Sequence, residues 1–506
     1  VSPPGDGPES RPSEGPGVSP AAHDSEAIVQ RASWLLTGRV IGDAGMFIYY
    51  LLLARRFGTA GIGNYSFAFA VGSMLMLGVS FGLRDLITRR VARRPGQVPG
   101  IAFSVLATQA GITVLLLGLL LVGSRMLGYS PTMIGYLALA FLALALMVIG
   151  ITFTSFLDAI GAMHLSAMAN LIHKASIMLP GIALILGGAS LLSVMCAHVF
   201  AGLMFIVAGL YWTRRRFGAL RLRYRPRVAR ALFIAALPFL ATSALWEIYS
   251  RVDIVMLHYF KGEAVTGLYA AAYKVVSAPL FMAELIGIAV FPTLARALVG
   301  DEERTWQLFR ETLRTLVVFG LAGAILLAVA GDGLQVLLFG SEFAESGRII
   351  QWMAPLLLLQ FAMVPLWRLL LAMDRERLLV KLRLGSVGLN IALNLFLIPR
   401  FGAMGAVASS LISEGVLGIA QFSFCLQVVS APFNGRGAAI ALSGSVALLA
   451  GLLARTVVAW PLAAVAAMIA FAGLVLGLRV VLPAEIRDVL RQARLKGSGG
   501  AGPAAG

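Results

Sequence analysis

The sequence predicts an all-α integral membrane protein of about fourteen transmembrane helices, arranged as two six-helix lobes with two further helices at the C-terminus. Three observations carry this. Hydrophobic residues fill 59% of the 506 positions and charged residues 13%, with a mean hydropathy of +0.87; soluble domains are nearer half apolar and a quarter charged. The chain holds fourteen apolar stretches of about 20 residues or more, the length that crosses the hydrocarbon core. A Gly-x4-Gly-x-Tyr motif also occurs twice at an offset of 204 residues: Gly58, Gly63 and Tyr65, then Gly262, Gly267 and Tyr269.

The elements follow in chain order. Residues 1–27, rich in Pro, Gly, Ser and Glu, bury too little apolar surface to offset their ordering entropy and are expected to be disordered. They lack the basic start and apolar core of a signal peptide, so the first span is expected to direct insertion. Spans 32–54, 62–87, 100–124, 132–156, 166–187 and 189–213 form the first lobe, 28–213. The first qualifies despite Arg39 and Asp43, and the fifth despite His173 and Lys174. The arginine-rich segment 214–229 links the lobes. Spans 230–258, 265–291, 311–331, 346–372, 378–398 and 404–427 form the second lobe, 230–430. Its first two carry Glu247, Arg251, Asp253, Lys274 and Glu284, and Pro238, Pro279 and Pro355 mark bends in the spans that hold them. Spans 437–456 and 460–482 complete the region 431–482, and 483–506 read as a cytoplasmic, disordered tail.

The net charge of +17 resembles a nucleic-acid signal until its distribution is followed. Loops 88–100, 214–230 and 375–383 and the C-terminal tail lie on one side and hold about 26 Lys and Arg, against about 7 on the other. Basic loops stay in the cytoplasm, so both termini are expected there, and the charge needs no nucleic acid to explain it. Cys196 and Cys425 lie apart in apolar runs and the five histidines are scattered, which points to no disulfide and no metal site. No phosphate-binding glycine loop is present, and no cofactor is expected. The six spans between the repeated motifs make the lobes parallel copies. Transporters built from such repeats bind substrate between lobes and rock them to alternate access.

A charge at mid-bilayer costs about 2.5–3.5 kcal/mol on insertion scales, so the charged spans must face a cavity or one another. Arg39 and Asp43 are four residues apart, as are Glu247 and Arg251, and each pair shares a helix face. At the repeat offset Asp43 falls on Glu247. Asp253, nearer the helix end, is expected to be partly hydrated. The pairs satisfy one another or line a cavity. In the second case Arg39, Lys174, Arg251 and Lys274 make a wall that suits an anion such as phosphate, and Asp43, Glu247 and Asp253 are candidates for ion coupling. Asn390 and Asn394 read as interhelical hydrogen-bonding residues.

Residues 237–296 resemble the Wzx-type polysaccharide and oligosaccharide flippases. The likeness rests on Arg251-x-Asp253, Gly267-x-Tyr269, Phe291-Pro292 and Ala295-Arg296. The stretches 55-RRFGTAGIGNYSFAFAV-71, 81-FGLRDLITRRVARR-94 and 399-PRFGAMGAVASS-410 are similar to further parts of that family. The resemblance implies a V-shaped pair of lobes in a bacterial plasma membrane. It implies alternating-access translocation of undecaprenyl-pyrophosphate-linked saccharide units for a surface polysaccharide, and no enzymatic activity. Arg39, Arg251 and Lys274 match the cations that hold pyrophosphate or acidic sugars in related flippases. Membrane lipids, H+ or Na+ as a coupling ion, and polysaccharide polymerase or assembly proteins are the implied partners. Two other readings stand beside it. A cation-coupled multidrug antiporter of the same superfamily fits less well, since it normally has twelve spans and an acidic pocket. A polysaccharide polymerase or ligase needs a larger outer loop than 332–346.

Overall fold

The computed structural model describes residues 20–300, 302–427 and 436–478, with side chains from Ile41 onward except at 241–242, 299–302 and 436. The described residues are helical and contain no strand. Twelve stretches are long and apolar enough to span a membrane. Two of them, Ile41–Arg93 and Ser243–Leu298, are 53 and 56 residues long. Each is an out-and-back pair, which brings the number of crossings to fourteen.

Helix α1 (Pro20–Ser80) breaks at Gly58 (φ 65°, ψ −168°), and α7 (Pro226–Ser277) breaks at Gly262 (φ 79°, ψ −176°). These positions correspond under the repeat offset, and their backbone angles agree. The left-handed φ is open to glycine at no steric penalty, so the chain can turn back there. Side chains show that it does: Asp253 and Tyr269 are hydrogen-bonded, although a continuous helix would hold them about 24 Å apart. The rings of Tyr50 and Tyr65 are likewise 6.3 Å apart.

The second glycine of each motif brings the lobes together. A Cβ placed on Gly63 would meet the Glu263 carbonyl oxygen at 1.8 Å, and one placed on Gly267 would meet the Thr59 carbonyl oxygen at 1.8 Å. Thr59 and Glu263 are themselves 204 residues apart, so the contact is reciprocal about a pseudo-twofold axis, as in an isologous dimer interface. Around it Arg55 Nε donates to the Leu338 carbonyl (2.9 Å), Asn64 bonds His258 (3.2 Å), and His258 stacks on Phe67 (3.8 Å between centroids). One buried apolar cluster, including Tyr49, Leu53, Leu257, Tyr269 and Phe339, runs across both lobes.

The remaining first-lobe helices are α2 (Leu83–Arg93), α3 (Val98–Met126), α4 (Pro131–Ala159), α5 (Met163–Leu186) and α6 (Leu191–Phe217). At the basic-loop end, Leu83, Ile87 and Val91 of α2 pack with Leu232 and Ala236 of α7, and the Arg89 guanidinium lies over the Phe239 ring. The lobes therefore touch at both ends. The linker after α6 is tied to α3: Arg221 N–H donates to the Pro99 carbonyl and Arg225 N–H to Ser104 Oγ, both at 2.9 Å. The second lobe continues with α8 (Leu280–Gly300), α9 (Glu302–Phe339), α10 (Ala344–Ala372), α11 (Glu376–Phe401) and α12 (Ala403–Leu426). Then α13 (Arg436–Ala454) and α14 (Trp460–Gly477) pack on Ile325 and Val329 of α9.

Several expected boundaries move. Helix α1 begins at Pro20, inside the segment expected to be disordered through residue 27. The outer loop expected at 332–346 is mostly helix, because α9 continues to Phe339 and a short 3-10 turn leads into α10; Asp332 within it is bonded to Arg455. Pro238 and Pro355 sit inside helices, whereas Pro279 marks the break between α7 and α8. The C-terminal tail lies outside the described residues.

Candidate functional site

Midway between the two lobe contacts, charged side chains from both lobes converge. Arg251 and Lys274 stand on the two limbs of α7, about 16 and 18 Å along the helix from Gly262. They are within electrostatic reach of each other, and Lys274 also senses Asp43 of α1. Asp43 accepts a hydrogen bond from Lys174 Nζ of α5 at 2.6 Å. Gly42 leaves room for this, since a Cβ there would lie 2.8 Å from the Lys174 Cδ. Glu247 and Arg251 form the expected i,i+4 pair at 3.4 Å. Lys274 Nζ lies 5.3 Å from the centroid of the Tyr50 ring, a cation–π contact between lobes.

Five of the seven candidate residues thus meet in one place: Asp43, Lys174, Glu247, Arg251 and Lys274. Arg39 belongs to α1, but its side chain lies outside the described residues. Asp253 is set apart. It is only 7% exposed and accepts hydrogen bonds from Tyr269 and from the Ile254 N–H, so the expected partial hydration does not hold. The reason is the turn at Gly262, which folds the second limb of α7 over it. In the first lobe the corresponding Tyr65 also reaches across its turn, to a histidine shared with Tyr49: Nε2 of His198 lies 3.0 Å from Tyr49 Oη and 3.3 Å from Tyr65 Oη. His173 stacks on Phe205.

Among the described side chains three cations face two carboxylates, and Lys174 and Arg251 each hold one. Their side chains remain 26% and 43% exposed, and that of Asp43 53%. Neither pair is therefore sealed in a closed core.

A second feature lies wholly in the second lobe, between α7, α8, α10, α11 and α12. A cavity of about 370 Å³ is lined by Trp246, Tyr249, Glu284, Trp367, Arg383 and Glu414, among others. Arg383 pairs with Glu414 at 3.0 Å, with both side chains largely buried, and its guanidinium lies over the rings of Trp246 and Tyr249. Arg368 pairs with Glu284 at 2.9 Å. Behind the cavity, Asn390 bonds Ser413 of α12, as its interhelical reading anticipated, whereas Asn394 bonds Asn390 within α11. The sequence reading missed Tyr50, Arg383 and Glu414. Arg383 was counted in a basic loop, yet it lies inside α11; the signal available was a lone acid, Glu414, in an otherwise apolar span.

Fold and charge placement together define a multi-pass membrane protein of the two-lobed transporter class. The structure is similar to that of the lipid II flippase MurJ in an inward closed conformation, with a TM-score of 0.72 over 88% of this chain and 99% of that one at 13% identity. It is also similar to an inward-facing multidrug transporter of the MATE family, with a TM-score of 0.57 over 76% and 96% at 15% identity. A family model described as "polysaccharide biosynthesis protein" matches residues 28–298, and the chain belongs to that family. Among individual relatives, a probable low-salt glycan biosynthesis flippase of Haloferax volcanii is 21% identical over 404 residues, covering 79% of this chain and 84% of the relative. A putative O-antigen transporter of Shigella dysenteriae is 24% identical over 215 residues, covering 42% and 53%.

Proposed function

We propose that the protein is a flippase of glycan biosynthesis, translocating a lipid-linked saccharide through the space between its lobes. The observation that carries this reading is the interlobe cluster, in a chain of a polysaccharide biosynthesis family. Lys174, Arg251 and Lys274 converge from three helix limbs at mid-depth, and two of them are held by carboxylates that an anion can displace. A pyrophosphate offers several acceptor oxygens to these donors, and charge-assisted bonds of this kind are about twice as strong as neutral ones. The saccharide follows the phosphates while the polyprenyl chain remains in the bilayer. The relatives are named for glycan flipping and O-antigen transport in an archaeon and a bacterium, so undecaprenyl is the expected lipid only in a bacterial host.

Asp43 and Glu247 are the acids placed to couple an ion. Taking up H+ or Na+ at either would free its cation for the substrate, and releasing the ion would return it. Asp253, buried beneath Tyr269, belongs to the frame of the hairpin. The basic loops support a cytoplasmic position for the linker and the α2 end of the molecule, the side on which the substrate would be loaded.

The test replaces Arg251 or Lys274 with alanine and measures exported glycan and lipid-linked intermediates, with an immunoblot of the membrane fraction. Export should fall with protein abundance near normal, and the intermediates should accumulate. Normal export in both variants would remove these residues from the site. Intact glycan with heightened ethidium sensitivity in a deletion strain would favour drug antiport instead. Loss of polymer length alone would point to a polymerase or ligase.

A further inference from the structure

The inter-lobe linker and α2 are far more basic than their surroundings in the second lobe. Twelve arginines within residues 83–94 and 214–230 are exposed, and Asp85 is the single acid in those stretches. Among the described residues one of the twelve has an acid in reach: the Arg84 guanidinium lies 4.0 Å from Asp158. The excess is one-sided. At the repeat offset α2 falls on residues 287–298, which hold one cation, Arg296. At the turn between α10 and α11, exposed Arg375, Arg377 and Lys381 stand beside exposed Asp374 and Glu376. Orientation in the membrane asks for basic loops, but not for their concentration on one lobe. Like charges crowded in this way repel one another and draw counter-anions.

These arginines stand on one rim. Leu83, Ile87 and Val91 of α2 share a buried cluster with Val98 and Ile101 of α3, and Leu220 of the linker packs against it. From Gly218 to Arg225 the chain runs without helix. It is held against α3 by the Arg221 and Arg225 N–H groups and by the Tyr224 hydroxyl, 3.4 Å from Thr108 Oγ1. Here Leu222 and Tyr224 alternate with Arg221, Arg223 and Arg225, and they are 76% and 49% exposed. Helix α3 has 29 residues, more than the roughly 20 that cross the hydrocarbon. Its large exposed apolar side chains begin within two turns of Thr108, at Val114 and Leu115. The linker therefore lies where α3 enters the hydrocarbon. At that level a tyrosine or an arginine can bury its apolar part and keep its polar tip wet.

Anionic phospholipid head groups meet both features. The guanidinium fork matches phosphate oxygens two at a time, and a basic surface is drawn to an anionic leaflet. Leu222 and Tyr224 then enter the acyl boundary beneath the head groups. A soluble polyanion would satisfy the arginines, yet it would leave Leu222 in water. We infer that α2 and the linker form a binding surface for anionic phospholipids in the leaflet on the basic-loop side. Bound lipid there anchors the first lobe to the membrane plane, and the second lobe, with fewer cations, is held less firmly.

The experiment offers the purified full chain, in a nonionic detergent, equal amounts of dioleoylphosphatidylglycerol and dioleoylphosphatidylcholine. Retained lipids are counted by native mass spectrometry. The unsubstituted chain should prefer phosphatidylglycerol by at least about tenfold, since several arginines act on each head group. The variant Arg89→Gln/Arg90→Gln/Arg93→Gln/Arg221→Gln/Arg223→Gln changes exposed side chains alone and should lose that preference. Arg375→Gln/Arg377→Gln, in the second lobe, should keep it. Leu222→Gln/Tyr224→Gln should retain less phosphatidylglycerol with every arginine in place. Gel filtration confirms that each variant is folded. No preference in the unsubstituted chain, or an equal loss in the Arg375→Gln/Arg377→Gln variant, would overturn the lipid surface. So would an undiminished preference in the five-arginine variant. Displacement of the lipid by millimolar inorganic phosphate would overturn it in favour of a site for the free anion. Tighter binding of an RNA oligonucleotide than of phosphatidylglycerol, unaffected by Leu222→Gln/Tyr224→Gln, would overturn it in favour of a soluble polyanion.

Discussion

Adding a single methyl group at Gly267 is expected to prise the lobes apart. The Cβ of Gly267→Ala would lie 1.8 Å from the Thr59 carbonyl oxygen and 3.0 Å from the Gly63 nitrogen. Ordinary contact begins near 3.4 Å, so the shortfall is about 1.6 Å. The obstructing atoms belong to helix backbone and cannot swing aside as a side chain would. Relief comes from separating the two hairpins. Overpacking of this kind costs about 1–3 kcal/mol, which corresponds to a shift of about 5- to 150-fold in an equilibrium between touching and parted lobes. The assay places a cysteine at Asn64, beside the contact, in a background with Cys196→Ser and Cys425→Ala. Labelling by an impermeant thiol reagent from the face opposite the basic loops should be markedly faster in Gly267→Ala than in Gly111→Ala, whose Cβ would meet nothing within 4 Å. A monodisperse gel-filtration profile excludes simple misfolding. Equal labelling rates in the two variants, with export undiminished, would refute the close contact and the gate built on it.

Two further outcomes concern the α7 hairpin and the orientation of the chain. Tyr269→Phe removes the hydroxyl that donates to buried Asp253, and should destabilise the protein by about 1–3 kcal/mol, seen as a lower unfolding temperature in detergent; an unchanged temperature would remove Asp253 from the frame of the hairpin. Cysteine at Arg225 should be shielded from an impermeant thiol reagent on intact cells, and cysteine at Lys261, exposed beside the α7 turn, should be labelled; the reverse would overturn the assignment of the basic loops to the cytoplasm.

What could be read from the chain was whatever depends on neighbours along it. Apolar length marked the spans, and the Gly-x4-Gly-x-Tyr repeat marked both turns. The Glu247–Arg251 pair followed from its i,i+4 spacing. What could not be read was whatever depends on a turn or a second helix. That Lys174 reaches Asp43 across a helix interface, 131 residues away in sequence, depends on a second helix that no local pattern announces. Asp253 was placed near water because it lies towards a helix end, yet the chain folds back and covers it with Tyr269. Arg383 illustrates a different limit. Charges at the first turns of a span read as loop, and only the approach of α12 shows this one to be buried against Glu414.

The reciprocal seating of Gly63 and Gly267 has a bearing on leakage. A passage wide enough for a saccharide would short-circuit the membrane if it ever stood open at both ends. Because the two seats adjoin, with the Gly63 nitrogen only 3.0 Å from a Cβ on Gly267, a separation of the lobes at this end that lifts Gly63 from Glu263 also lifts Gly267 from Thr59. Unlatching is thereby confined to one concerted step, with few half-released forms through which ions could slip. A duplicated sequence, folded against its own copy, gives the molecule a lock whose two bolts are thrown together.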